Sequence, residues 1–155
     1  MFRITRLTDY GVVLMSELAR DAGNVHNAAD LAASAHLPSP TVSKILQVLL
    51  REGLLVSVRG AGGGYRLARD AAAISVRDII VALEGPIALT ECNLDSGSCE
   101  QEGHCTTRGN WQVINQALRN ALDDITLADM VTPGFAPVMR MNKNVADVRM
   151  PVIQG

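Results

Sequence analysis

Cys92, Cys99 and Cys105 form a Cys-x6-Cys-x5-Cys array and are the only cysteines in this 155-residue chain. Cysteines that fill cores are scattered along apolar stripes. These three instead share one irregular stretch with Asn93, Asp95, Ser96, Gly97, Glu100, Gln101, Glu102 and Gly103. Closely spaced soft thiolates suit an iron–sulfur cluster or zinc. Structural zinc sites use tighter Cys-x2–4-Cys pairs, which puts zinc second. An odd count disfavours disulfide pairing. Three thiolates leave a cluster one ligand short. His104 adjoins Cys105, and neighbouring residues rarely face one metal. Asp9, near the start of the first helix, is the other candidate, reaching the cluster from a partner subunit. A metal-free thiol redox switch is a third chemistry open to the array.

A second set of residues has the types that contact nucleic acid. Ser39-Pro40 opens an apolar-periodic stretch, with Ser39 expected as N-cap and Pro40 at the first helical position. Val42, Ile45, Leu46 and Leu49 recur at helical spacing. Thr41, Ser43, Lys44, Gln47 and Arg51 lie largely off that stripe, and Gly53 ends the helix. Lys44 and Arg51 suit phosphates, and Gln47 suits an adenine edge. Downstream, Arg59-Gly60-Ala61-Gly62-Gly63 separates the β-capable runs Leu54–Val58 and Gly64–Leu67, a glycine-tipped hairpin whose Arg59 suits a narrow minor groove. These glycines are no P-loop, because Tyr65-Arg66 follows Gly64 where Lys-Ser/Thr is required.

The elements that must position these groups are helical. Residues 7–21 read as a helix with Leu7, Tyr10, Leu14 and Leu18 on one stripe. Asn27 caps a short alanine-rich helix over Ala28–Ala35, and His36-Leu37-Pro38 forms a turn. Ser75-Val76-Arg77-Asp78 resembles a capping box for a fourth helix through Leu83. A long helix is expected from Asn110 to near Asp129. Its seam, Trp111, Ile114, Leu118, Ala121 and Ile125, suits pairing with a second copy. The order helix, helix, turn, helix, hairpin is that of a winged helix-turn-helix: a mainly α fold with a small β-hairpin wing and a long dimerisation helix. The expected division is a winged-helix DNA-binding domain over 1–84, a cysteine-bearing cluster loop over 85–109, a dimerisation helix over 110–130 and a flexible tail over 131–155.

Charge follows the same division. The net charge of −2 conceals +2 over residues 1–83, −6 over 84–130 and +2 over the remainder. A basic unit joined to an acidic one fits DNA contact by the first. The longest apolar run is Ile79–Leu83, far short of the roughly 20 residues of a membrane span, and the N-terminus has no signal-peptide pattern. The expected location is the cytoplasm. His26, His36 and His104 fall in turns or loops with no nucleophile–base arrangement, so an enzyme is not expected.

These residues resemble the IscR/NsrR-type regulators, also called the Rrf-two family. The resemblance is carried by Leu7-Thr8-Asp9-Tyr10-Gly11, Val58-Arg59-Gly60-Ala61-Gly62-Gly63-Gly64-Tyr65, Ile74-Ser75-Val76, the three cysteines followed by Trp111, and Ile125-Thr126-Leu127-Ala128-Asp129. It spans residues 1 to about 130 and looks most like regulators of SUF iron–sulfur assembly. It implies a homodimeric repressor that binds promoter DNA and senses cluster status, nitric oxide or redox state. Its DNA contacts would come from Ser39, Pro40, Thr41, Ser43, Lys44, Gln47, Arg51, Arg59 and Gly60. Its metal ligands would be Cys92, Cys99, Cys105 and Asp9. Two departures bear on chemistry. IscR-like members place a ligating histidine where Arg108 stands, whereas NsrR-like four-iron members use an aspartate at the position of Asp9. The resemblance therefore favours a four-iron over a two-iron cluster. IscR-like recognition helices carry glutamate where Ser43 stands, so their operator does not transfer.

Overall fold

The computed structural model describes residues 3–94, 99–101 and 103–135, and residues 136–155 of the expected tail lie outside the described residues. Six α-helices and one hairpin are seen among them. They are α1 (Arg6–Arg20), α2 (Ala28–Ser34), α3 (Ser39–Arg51), β1 (Leu55–Val58), β2 (Gly64–Leu67), α4 (Val76–Glu84), α5 (Arg108–Asp123) and α6 (Leu127–Val131). Single 3-10 turns lie at Ala71–Ala73 and Glu91–Asn93. Among the described residues no helix is long and apolar enough to cross a membrane.

The winged helix-turn-helix forms because its apolar stripes converge. Leu14, Met15 and Leu18 of α1 meet Leu31 of α2, Val42, Ile45, Leu46 and Leu49 of α3, and Ile79 of α4 in one core, all essentially inaccessible. The turn between α2 and α3 is closed by two backbone bonds. His36 N–H donates to Ala33 O at 3.3 Å and Leu37 N–H donates to Ala32 O at 3.0 Å. That pairing is a Schellman motif with His36 in the left-handed region at φ 54°. The cap of α3 differs from expectation. Pro38 is the N-cap, makes no side-chain bond, and Ser39 is already helical. The proline pair sets the entry in place of a capping hydroxyl.

The hairpin pairs antiparallel from Leu55 with Leu67 to Val58 with Gly64. It gains a third partner from the segment ahead of α2. His26 N–H donates to Tyr65 O at 2.9 Å, and Tyr65 N–H donates to His26 O at 2.8 Å. His26 is thus a strand-like clamp between the helix-turn-helix and the wing.

The expected single helix from Asn110 to near Asp129 is two helices. α5 starts at Arg108 and ends at Asp123; the chain then forms an antiparallel bridge, Ser75 with Thr126, before α6. Val76 N–H donates to Ile125 O at 2.9 Å and Leu127 N–H donates to Ile74 O at 2.8 Å. Thr126 and Asp129 make a capping box that restarts the helix, as Ser75 and Asp78 do for α4. α6 packs against α1, and Leu127 is fully buried in the main core. The seam divides accordingly. Leu118, Leu122 and Ile125 pack within the chain on Val76, Ile80 and Ile87, a small second core. Trp111 and Ile114 are 40% and 47% exposed.

The N-terminus of α1 is tied to the end of α4. Thr5 donates to Glu84 Oε1 through its N–H at 3.0 Å and its hydroxyl at 2.8 Å. Burial alone would raise the Glu84 carboxyl, but the hydroxyl of Thr8 and the backbone and hydroxyl of Thr5 outweigh it and hold it below its ordinary value.

Candidate DNA interface and cysteine segment

α3 buries Val42, Ile45, Leu46 and Leu49, so the opposite face is left to Pro40, Lys44, Gln47 and Arg51. These four are exposed and fall at i, i+4, i+7 and i+11, one helical face. Ser39 is exposed beside them, and Thr41 and Ser43 are half-buried at its edge. Among the described residues Lys44 forms no ion pair, whereas Arg51 Nε sits 3.1 Å from Glu52 Oε1. Arg51 therefore offers less net positive charge than Lys44. Arg59 and Gly60 are exposed at the hairpin tip. Gly60 adopts φ 112°, and its carbonyl accepts from Gly63 N–H at 3.0 Å to close the tip. The structure thus puts the nine expected contact residues on α3 and the hairpin tip.

The thiols are arranged less compactly. Cys92 lies in the turn Glu91–Asn93, where its Sγ is 3.1 Å from Thr90 Oγ1. Cys105 lies just ahead of α5, with Sγ 3.4 Å from Thr107 Oγ1. The bond from the Thr107 hydroxyl, then that from its backbone, lowers the Cys105 thiol below its ordinary value. Partial burial opposes this, and the backbone and charge of Arg108 add to it. Cys92, Cys99 and Cys105 are all free and half-buried. Among the described residues no three His, Cys, Asp or Glu side chains group as a metal site.

Asp9 is exposed on α1 and lines an open groove with Arg3, Ile4, Thr5, Arg6, Val12, Val76 and Met130, without any cysteine of its own chain. His104 is exposed, and its N–H donates to Gln101 O at 3.0 Å.

Sequence reasoning overlooked two residues of this region, Asn115 and Arg119. Asn115 is 2% exposed on α5 and bonds the chain at Ile87 and Leu89, and Arg119 bonds Ile87 and Asn93. The available signal was a polar residue, Asn115, on the inward face shared with Leu118 and Leu122.

Residues 4–133 match the family described as Iron-dependent Transcriptional regulator, Rrf2. The chain is 31% identical over 130 residues to the HTH-type transcriptional regulator IscR of Vibrio cholerae, covering 83% of this chain and 75% of that one. Two solved structures are similar. The first is CymR (YrzC), the global cysteine regulator of B. subtilis, at 32% identity and TM-score 0.69, covering 84% of this chain and 97% of that one. The second is T. potens IscR, at 33% identity and TM-score 0.66, covering 84% and 86%. With the winged helix-turn-helix and this match over nearly all the described residues, the chain belongs to the Rrf2 family of DNA-binding transcriptional regulators.

Proposed function

We propose that the protein is a homodimeric repressor of iron–sulfur assembly genes, of the SUF type, governed by a cluster on Cys92, Cys99 and Cys105. Asp9 of a second copy would be the fourth ligand. The observation that carries this reading is three free thiols on one segment, joined through α5 to the unit that bears the reading helix. Their chemistry fits the group: three soft donors, one of them with a lowered thiol, and an exposed carboxylate on α1 in a groove that no cysteine lines. A bound cluster would cross-link the three thiols.

The rest follows from this chain's own residues. Residues 1–84 read DNA, with α6 packed against α1, residues 85–109 hold the cluster, and α5 pairs with its copy. Because Leu118, Leu122 and Ile125 pack on α4, the free stripe of α5 is Val113, Ile114, Ala117 and Ala121, all exposed and spaced for helix pairing. In a dimer both reading helices must match two half-sites, so a small change in the angle between protomers alters affinity. A hundredfold effect on DNA binding requires about 2.7 kcal/mol of coupling.

Iron, sulfide and zinc analysis with visible spectra of anaerobically purified protein tests the site. The wild type should hold about four iron and four sulfide per chain. Cys105→Ala should lose them and Asp9→Ala should hold them more weakly. Stoichiometric zinc without iron would give a zinc-stabilised repressor instead. The lowered Cys105 thiol favours a second reading, a redox switch, which absence of any metal together with a reversible sulfenate or disulfide would establish. Equal promoter affinity of cluster-loaded and cluster-free protein at fixed salt would overturn the coupling.

The same reading assigns base and phosphate contacts to Ser39, Pro40, Thr41, Ser43, Lys44, Gln47, Arg51, Arg59 and Gly60. Lys44→Ala should weaken binding on all sequences alike and lower the salt slope of log K by about one. A slope identical to wild type would remove Lys44 from the phosphate contacts.

A further inference from the structure

Between Gly85 and Thr90 the chain is neither helix nor strand, so its backbone groups must find partners elsewhere. They find two side chains of α5. Asn115 Oδ1 accepts from Leu89 N–H at 3.0 Å, and Asn115 Nδ2 donates to Ile87 O at 3.3 Å. Arg119 Nε donates to the same Ile87 carbonyl at 3.0 Å, and Arg119 Nη2 reaches Asn93 O at 3.4 Å. Asn115 and Arg119 are four residues apart, hence on one helix face. The bonds bracket Cys92, with Leu89 three residues before it and Asn93 one after. Cys105 is held separately, by Thr107 at the start of the same helix.

We infer that Asn115 and Arg119 are positioning residues for the thiol site: they fix Cys92 to α5, the helix whose first turn already holds Cys105. Two of the three thiols thereby share one rigid reference before any ligand arrives. That matters because ligand sets work only when held within about 0.5 Å of the required geometry. The purpose of the clamp rests on the reading of the cysteines as metal ligands, but the clamp itself has an independent readout.

That readout is the alkylation rate of each cysteine in the metal-free full chain, measured with iodoacetamide and peptide mass spectrometry. Arg119→Ala should raise the Cys92 rate about tenfold, the effect of losing a charged hydrogen bond, and leave Cys105 unchanged. Arg119→Lys, which retains one donor for the Ile87 carbonyl, should fall between. After reconstitution with ferrous iron and sulfide, Arg119→Ala should surrender iron to a chelator about tenfold faster than wild type, as loss of outer-shell support does elsewhere. Cys92 and Cys105 accelerating together would mean general loosening and overturn the assignment, as would no change at either. If wild type takes up no iron, the cluster reading fails by itself, and the alkylation rates still decide the clamp.

Discussion

Leu127→Ala should lower the free energy of unfolding by about 2–5 kcal/mol, the range for emptying a fully buried leucine site. Leu127 is completely inaccessible and lies in the same core as Leu14, Leu18, Ile45 and Ile79, although more than 40 residues separate it from the last of these. It arrives there because the chain leaves α5, pairs Thr126 with Ser75 and turns α6 onto α1. Urea unfolding of Leu127→Ala beside Ile114→Ala checks this at one fixed protein concentration. Ile114 is 47% exposed in the chain, so its loss should cost the fold about 0.5 kcal/mol or less. The contrast separates two residues that the expectation of one helix from Asn110 to near Asp129 placed on the same element. A Leu127→Ala cost no larger than that of Ile114→Ala would mean that α6 is not part of the winged core.

Gly64→Ala should damage the wing and its attachment to the helix-turn-helix. A Cβ at Gly64 would stand 2.3 Å from the His26 carbonyl oxygen, 2.5 Å from its carbon and 2.8 Å from Asn27 N. All three are backbone atoms of the strand-like segment that leads into α2, so no side chain can swing aside. The His26–Tyr65 pair of hydrogen bonds must open or the hairpin must shift. Overpacking of this kind costs about 1–3 kcal/mol. A displaced wing should also weaken specific promoter binding by roughly tenfold, the scale of one lost base-pair contribution. Gly62→Ala is the control, because its added Cβ meets nothing within 4 Å. Binding by Gly64→Ala that matches Gly62→Ala would show that the clamp does not aim the wing.

The local elements were legible because their signals are local. The apolar spacing of Val42, Ile45, Leu46 and Leu49 gave α3, and the Ser75–Asp78 box gave the start of α4. The alternation around a glycine tip gave the hairpin, with Gly64–Leu67 in the expected place. Thr126-x-x-Asp129 carries the same capping pattern as Ser75-x-x-Asp78 and marks the break between α5 and α6. The apolar periodicity running through Ile125 obscured it, since a 3.6-residue repeat cannot report that a helix has ended and another begun.

By itself, then, the sequence determined which residues are chemically available. It placed three thiols in a polar stretch, a carboxylate at the head of α1, small and basic side chains off the apolar stripe of α3, and an arginine beside a flexible tip. Residue type and nearest-neighbour spacing are enough for that. Only the tertiary structure decided which groups meet. It split the seam of α5 between an inner face on α4 and an outer face exposing Ile114, because burial of Ile87 and Val76 requires Leu118 and Leu122. It turned His26 into a partner of the wing and set Asn115 and Arg119 beside the Cys92 turn. It also set Asp9 in an open groove that no cysteine lines. Such contacts join residues 20 to 50 positions apart. They are fixed by the need to bury apolar surface and satisfy backbone groups across elements, which no short-range pattern encodes.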